Sequence, residues 1–90
     1  MSKFRKKPAI IEAIQWNGDW DSMEQIEKEL NVITLQRSGR QNINWVESWN
    51  IKTLEGMHVV SPNDWVIKGI KGECYPCKPD IFEATYKLFN

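Results

Sequence analysis

The most constraining feature is a near-repeat: residues 49–56, WNIKTLEG, and 65–72, WVIKGIKG, agree at Trp, Ile, Lys, an aliphatic position and Gly, sixteen residues apart. Two copies are too few for a repeat architecture. They fit two strands of one inside–outside register, each ended by a Gly turn. Between them stand MHVV at 57–60 and SPND at 61–64. Pro62 presets φ at the second turn position and Asn63 accepts positive φ at the third, a type II pattern. A two-residue turn at Glu55 and Gly56 pairs Ile51 with Val60 and Thr53 with His58. A four-residue turn at 61–64 then pairs Val60 with Trp65 and His58 with Ile67. Side chains alternate across a sheet, so Trp49, Ile51, Val60, Trp65 and Ile67 share a core face. The opposite face carries Leu54, Met57, Val59 and Val66, flanked by Lys52 and Lys68. It is too apolar to stand bare and calls for a covering helix.

Upstream, PAIIEAIQW at 8–16 reads as a first strand with Pro8 at its start or on an edge, closed by the turn NGD at 17–19. A helix follows over about 22–30. Met23, Ile26 and Leu30 form its apolar stripe, Asp21 with Glu24 its capping box, and Asn31 its end. VITLQ at 32–36 reads as a strand, RSGRQN at 37–42 as a polar turn, and INWV at 43–46 as the next strand. At the C-terminus, residues 78–89 offer a helix capped by Asp80 with Glu83, covering the apolar sheet face. The fold class that results is α+β: an antiparallel, strongly twisted sheet, open or partly closed into a small barrel. One helix follows the first strand and another ends the chain. Ninety residues suit a single domain spanning 1–90.

Composition narrows the function classes. Twelve basic residues balance twelve acidic ones, which argues against general nucleic-acid binding driven by net charge. No apolar run approaches the ~20 residues of a membrane span. The first residues lack the apolar core of a secretion signal. Two cysteines make no disulfide framework, so a reducing cytoplasm is expected. The charges segregate into a basic run (Lys3, Arg5, Lys6, Lys7) and an acidic one (Asp19, Asp21, Glu24, Glu27, Glu29). Five Trp is high for this length; large aromatics let a small domain bury much area with few residues.

Cys74-Tyr75-Pro76-Cys77 has the spacing of a redox loop, but only thirteen residues follow it. No later strand can complete a thioredoxin-type unit. A zinc site would have to add His58 and Asp64, and nothing in the spacing demands that. The stretch reads instead as a kinked entry to the last helix, with Cys77 packed as a small hydrophobe and His58 as a hydrogen-bonded residue at the rim of the core. No phosphate loop, dinucleotide loop or nucleophile elbow is present. No catalytic set, metal or cofactor is expected.

KFRKKPAIIEAIQWNG at 3–18, taken with IKTLEGMHVVSPNDWVIKGIKGECYPCKPDIFEATY at 51–86, resembles a family of small proteins encoded by tailed bacteriophages and prophages. The resemblance rests on K-F-R-K-K-P, G-D-W-x-I-K-G and Y-P-C-K-P-D-I-F-E taken together. The chain has Pro62-Asn63-Asp64 where the family has P-G-D, and Cys74 where the family usually has an aromatic, so a dithiol is not the shared chemistry. The resemblance implies a phage-borne gene acting in a host bacterial cytoplasm. It supplies no activity.

Two modes of action follow. The first is stoichiometric binding that sequesters a nucleotide-type signal of antiphage defence. Aromatics would stack the base and cations meet the phosphate; the residues are Arg5, Lys6, Lys7, Trp65, Lys68, Lys71, Tyr75 and Lys78. The second is a protein–protein effector, an inhibitor of a host or defence enzyme or an assembly accessory, docking through the acidic helix. A phosphate-binding arm at residues 3–7 ranks behind both. Self-association is expected, since small binding domains build sites between copies.

Overall fold

A computed structural model describes residues 2–3 and 9–88. The elements run β1 (Glu12–Gln15), α1 (Trp20–Glu29), β2 (Thr34–Arg40), β3 (Trp45–Thr53), β4 (Gly56–Val59), β5 (Trp65–Lys68), β6 (Cys74–Cys77) and α2 (Pro79–Thr85). They form two antiparallel three-stranded sheets, ordered β1-β5-β6 and β2-β3-β4. The α+β class and the placement of both helices are as expected. The strands divide between two sheets and do not close into a barrel.

α1 begins two residues before the predicted start, because Asp19 and not Asp21 is the cap: its carboxylate accepts the Ser22 N–H at 2.8 Å. Met23, Ile26 and Leu30 are buried as the stripe requires, and Asn31 ends the helix at φ 53°. They pack with Trp16, Val46, Trp49, Ile51, Val60, Val66 and Cys74 into one core. Trp16 and Trp49 meet there edge to face, 5.2 Å between centroids. Each also pairs its indole N–H, Trp16 with the Asp19 carbonyl at 2.9 Å and Trp49 with the Thr34 hydroxyl at 3.0 Å.

The predicted turn at 37–42 is not a turn. β2 runs through Arg37, Ser38 and Gly39 to Arg40, and the chain reverses over Gln41–Ile43 with Asn44 at φ 55°. Gly39 sits at an irregular step where the register with β3 shifts. A Cβ there would lie 2.2 Å from the Trp45 carbonyl oxygen, so this glycine serves a close backbone approach within a strand.

At the β3–β4 hairpin, Thr53 pairs with Gly56, which puts residues 54 and 55 in the turn. Neither takes positive φ; Gly56 does, at 104°. The register therefore reads Ile51 with His58, not Ile51 with Val60. The partner moves by two residues, so Trp49, Ile51 and Val60 keep their shared core face.

The larger correction lies at 61–64. The turn forms as predicted, with Asn63 at φ 73° and the Asp64 N–H donating to the Ser61 carbonyl at 3.0 Å. It is a corner and not a hairpin. Trp16 clamps it through two backbone bonds, its own N–H to the Asp64 carbonyl at 2.9 Å and the Asn63 N–H to its carbonyl at 2.8 Å. The buried Asp64 carboxylate takes the Ser61 N–H at 2.9 Å. The chain thereby leaves one sheet and enters the other, so Val60 does not pair with Trp65. In the β1-β5-β6 sheet the rows are Gln15–Trp65–Cys77 and Ala13–Ile67–Tyr75 on one face. On the other are Ile14–Val66–Pro76 and Glu12–Lys68–Cys74. Val66 and Cys74 enter the core with Trp49, while Trp65 lies on the reverse face. The two near-repeats thus put their tryptophans on different walls.

α2 covers that reverse face, not the face carrying Met57 and Val59. Its cap is Lys78, with Pro79 in the first turn, and Asp80 lies inside the helix. Leu54, Met57 and Val59 stay 84%, 57% and 61% exposed. No described element covers them.

Candidate functional site

The Cys74–Cys77 stretch is strand β6 and not a helix entry. Residues three apart on a strand point to opposite faces. Cys74 is buried in the core against the Leu30 carbonyl, 3.7 Å away, and Cys77 faces the α2 side half-buried. Burial pushes the Cys74 thiol up, with Lys68 partly opposing, and burial followed by the Asp64 and Asp80 carboxylates pushes up Cys77. Both thiols favour the unreactive protonated form. Among the described residues no group of His, Cys, Asp and Glu is placed to hold a metal ion. His58 is exposed on β4 and shares a shallow cleft with Glu55 and Glu73.

Among the described residues, the cations of the predicted ligand set do not gather on one surface. Arg5, Lys6 and Lys7 lie outside the described residues. Lys68 stands beside Cys74 on the core-side face, and Lys71 lies in the loop before β6, its N–H on the Glu73 carboxylate. The Lys78 ammonium is held by Asp64, 3.2 and 3.3 Å from its two oxygens, with the Asp64 side chain 3% exposed. That pair ties the corner at 61–64 to the start of α2. A phosphate would have to compete with a buried carboxylate for this lysine.

Trp65 and Tyr75 do share the α2-covered face. Phe82 lies flat on Trp65, 4.1 Å between centroids and 8° between planes. Tyr86 tilts against Phe82 at 5.0 Å, and its hydroxyl lies 3.4 Å from that of Tyr75. Burial first, then this hydroxyl contact, pushes Tyr75 up to about 12. Along the flank of α2 runs an open groove of about 830 Å³, walled by Ile11, Ala13, Trp65, Phe82, Tyr86 and Leu88. Among the described residues Lys87 is its one charged lining residue. The size and the aromatic lining suit a small organic ligand. Composition pointed to aromatics, but nothing in the sequence marked Phe82, Tyr86 and Lys87 as walls. The available signal was the i, i+4 spacing of Phe82 and Tyr86.

The acidic helix is partly neutralised from within. Arg37 donates to Glu27 at 2.7 Å, lies 4.0 Å from Glu24 and sits 5.0 Å above the Trp20 ring. The Thr34 hydroxyl also bonds Glu27. The depression along this helix is lined by solvated charges without an apolar wall.

No helix among the described residues is long and apolar enough to cross a membrane. No protein-family model, curated protein or solved structure matches the chain.

Proposed function

We propose that this protein acts by stoichiometric binding of a small, flat, singly charged anion in the groove between β1, Trp65 and α2. The observation that carries the reading is the lining itself: among the described residues it has stacked aromatics, aliphatic walls, one lysine and no carboxylate. A charge-poor aromatic groove favours a cyclic mononucleotide, with its single phosphodiester charge, over a triphosphate, because one cation offsets one anionic group. Taken with the resemblance to phage-encoded proteins, the physiological role is sequestration of a nucleotide signal of antiphage defence in the host cytoplasm. Calorimetry against cyclic adenosine monophosphate, a cyclic dinucleotide and ADP-ribose tests it. The first binds and the two doubly charged nucleotides do not, and Trp65→Ala weakens the first roughly tenfold or more, the size of one base stack. Flat titrations across the panel remove the nucleotide reading.

A second reading rests on a different surface. The uncovered apolar residues Leu54, Met57 and Val59 suit a protein partner, either a host enzyme or a second copy of this chain. Light scattering of the wild type and of Val59→Glu separates these. A dimer that the substitution dissolves assigns the face to self-association; a wild-type monomer leaves the host protein.

A further inference from the structure

We propose that the indole N–H of Trp65 is the specificity element of this groove, held for a hydrogen-bond acceptor on the ligand and uncovered by a small shift of α2. This rests on the groove being the binding site and names the chemistry its occupant must carry.

Trp offers one donor and no acceptor, and more than nine in ten buried polar groups find partners. Trp16 and Trp49 obey, each donating at about 3 Å. Trp65 Nε1 is sealed from solvent without a partner. A phenylalanine at this position would stack on Phe82 without orphaning a donor, so packing alone does not explain an indole here. Trp20 Nε1 is also unpaired, but Trp20 lines none of the cavities described above and lies under the Arg37 guanidinium.

The element packed on the Trp65 ring is lightly anchored. α2 has seven residues, buries none of them and lacks a side-chain cap bond. Phe82 both stacks on the face of Trp65 and walls the groove, so a ligand that enters the groove touches the ring packed on the indole. In this proposal a shift of α2 as a whole opens the edge of the indole to the groove, where an acceptor relieves the desolvation of the N–H. The occupant is therefore a flat apolar body with an oxygen or nitrogen acceptor at its inner end and a negative charge for Lys87. A plain hydrocarbon is excluded.

The probe is 1-anilinonaphthalene-8-sulfonate, an aromatic body with one charge and sulfonate acceptors. In protein labelled with 15N at Trp, the Trp65 indole signal is assigned by its loss in Trp65→Phe. On adding the probe to wild type, that signal moves downfield and its solvent exchange slows, while those of Trp16 and Trp49 stay put. Trp65→Phe, shown folded by circular dichroism, binds the probe roughly fivefold to tenfold more weakly, the worth of one net hydrogen bond. If that variant does not fold, sequential backbone and side-chain assignment of the wild type identifies the Trp65 signal, and the wild-type spectrum decides alone. Groove binding with an unmoved Trp65 signal overturns the proposal, as does absence of probe binding. A moved signal with flat nucleotide titrations sinks only the nucleotide reading.

Discussion

Phe82→Ala separates the two roles that α2 can have, a part of the cooperative core or a cover resting on it. Truncating a fully buried Phe costs about 3–5 kcal/mol. Phe82 is half-buried, so roughly 2–3 kcal/mol applies, including about 0.5–1.5 for the stacked pair with Trp65. Against this, on the cover proposed above, the unpaired Trp65 N–H regains water, worth about 1–3 kcal/mol. The net loss of global stability is then about 1 kcal/mol, small against the gross contacts removed.

The local consequence is much larger. The Phe82 backbone bonds to Lys78 and Tyr86 survive the truncation, but no other α2 side chain stacks on the sheet. With the ring gone, the Lys78–Asp64 pair and one tyrosine contact hold seven residues that are marginal as a helix. Urea unfolding gives the global term and hydrogen exchange the local one. The α2 amides lose protection while those of β3 and β5 keep theirs. A loss of 3 kcal/mol or more, with α2 amides exchanging in step with β3, would refute the cover and make α2 part of the core.

Asp19→Ala costs about 1 kcal/mol of stability by removing the α1 cap, whereas Asp21→Ala changes little, read by thermal unfolding. The donors of Ser22, side chain first and backbone second, hold the Asp19 carboxyl below its usual range. Its contribution is therefore present above the unfolded carboxyl pKa and lost as pH falls through the depressed one. Tyr75 has the opposite sign. The fold favours the neutral phenol, pushed from 10.0 to about 12, so the unfolded chain ionises first and stability falls as pH climbs through that window. Tyr86→Phe lowers the Tyr75 midpoint in an ultraviolet titration. Gly39→Ala forces a methyl to within 2.8 Å of the Val46 Cα and 2.2 Å of the Trp45 carbonyl oxygen; denaturant unfolding shows a loss of about 3 kcal/mol. Under mild oxidant Cys74 and Cys77 form no intramolecular disulfide, since they face opposite sides of β6, and the intact mass stays unchanged.

Local chemistry was legible wherever it was self-contained. The Met23–Ile26–Leu30 stripe, the type II turn at Pro62 and Asn63, and the end of α1 at Asn31 follow from residue preferences that need no distant partner. The errors fall where one residue type serves two geometries. Gly39 beside Ser38 and Arg40 has the composition of a turn, yet here it admits the β3 backbone inside a strand. A four-residue turn between two apolar strands has the composition of a hairpin. Whether it closes a hairpin or turns a corner depends on Trp16, forty-five residues upstream of Ser61, bonding into it. Nothing in residues 57–68 encodes that choice.

The same reasoning explains why the candidate site was half visible. Trp65 belongs to it and Tyr75 shares its sheet face, because the consecutive strands β5 and β6 pair directly and alternation keeps both on one face. Lys68 was grouped with them by proximity in sequence, and alternation sends it to the other face. Lys78 is close in space but already neutralised, because the corner at 61–64 buries Asp64 and a buried carboxylate requires a partner. The cations near Trp65 in sequence thus divide between structural duty and the wrong side of the sheet. The groove they leave is aromatic, with a single lysine among the described residues. The recognition chemistry proposed for it is therefore stacking of a flat body and satisfaction of one buried donor, in place of a phosphate clamp.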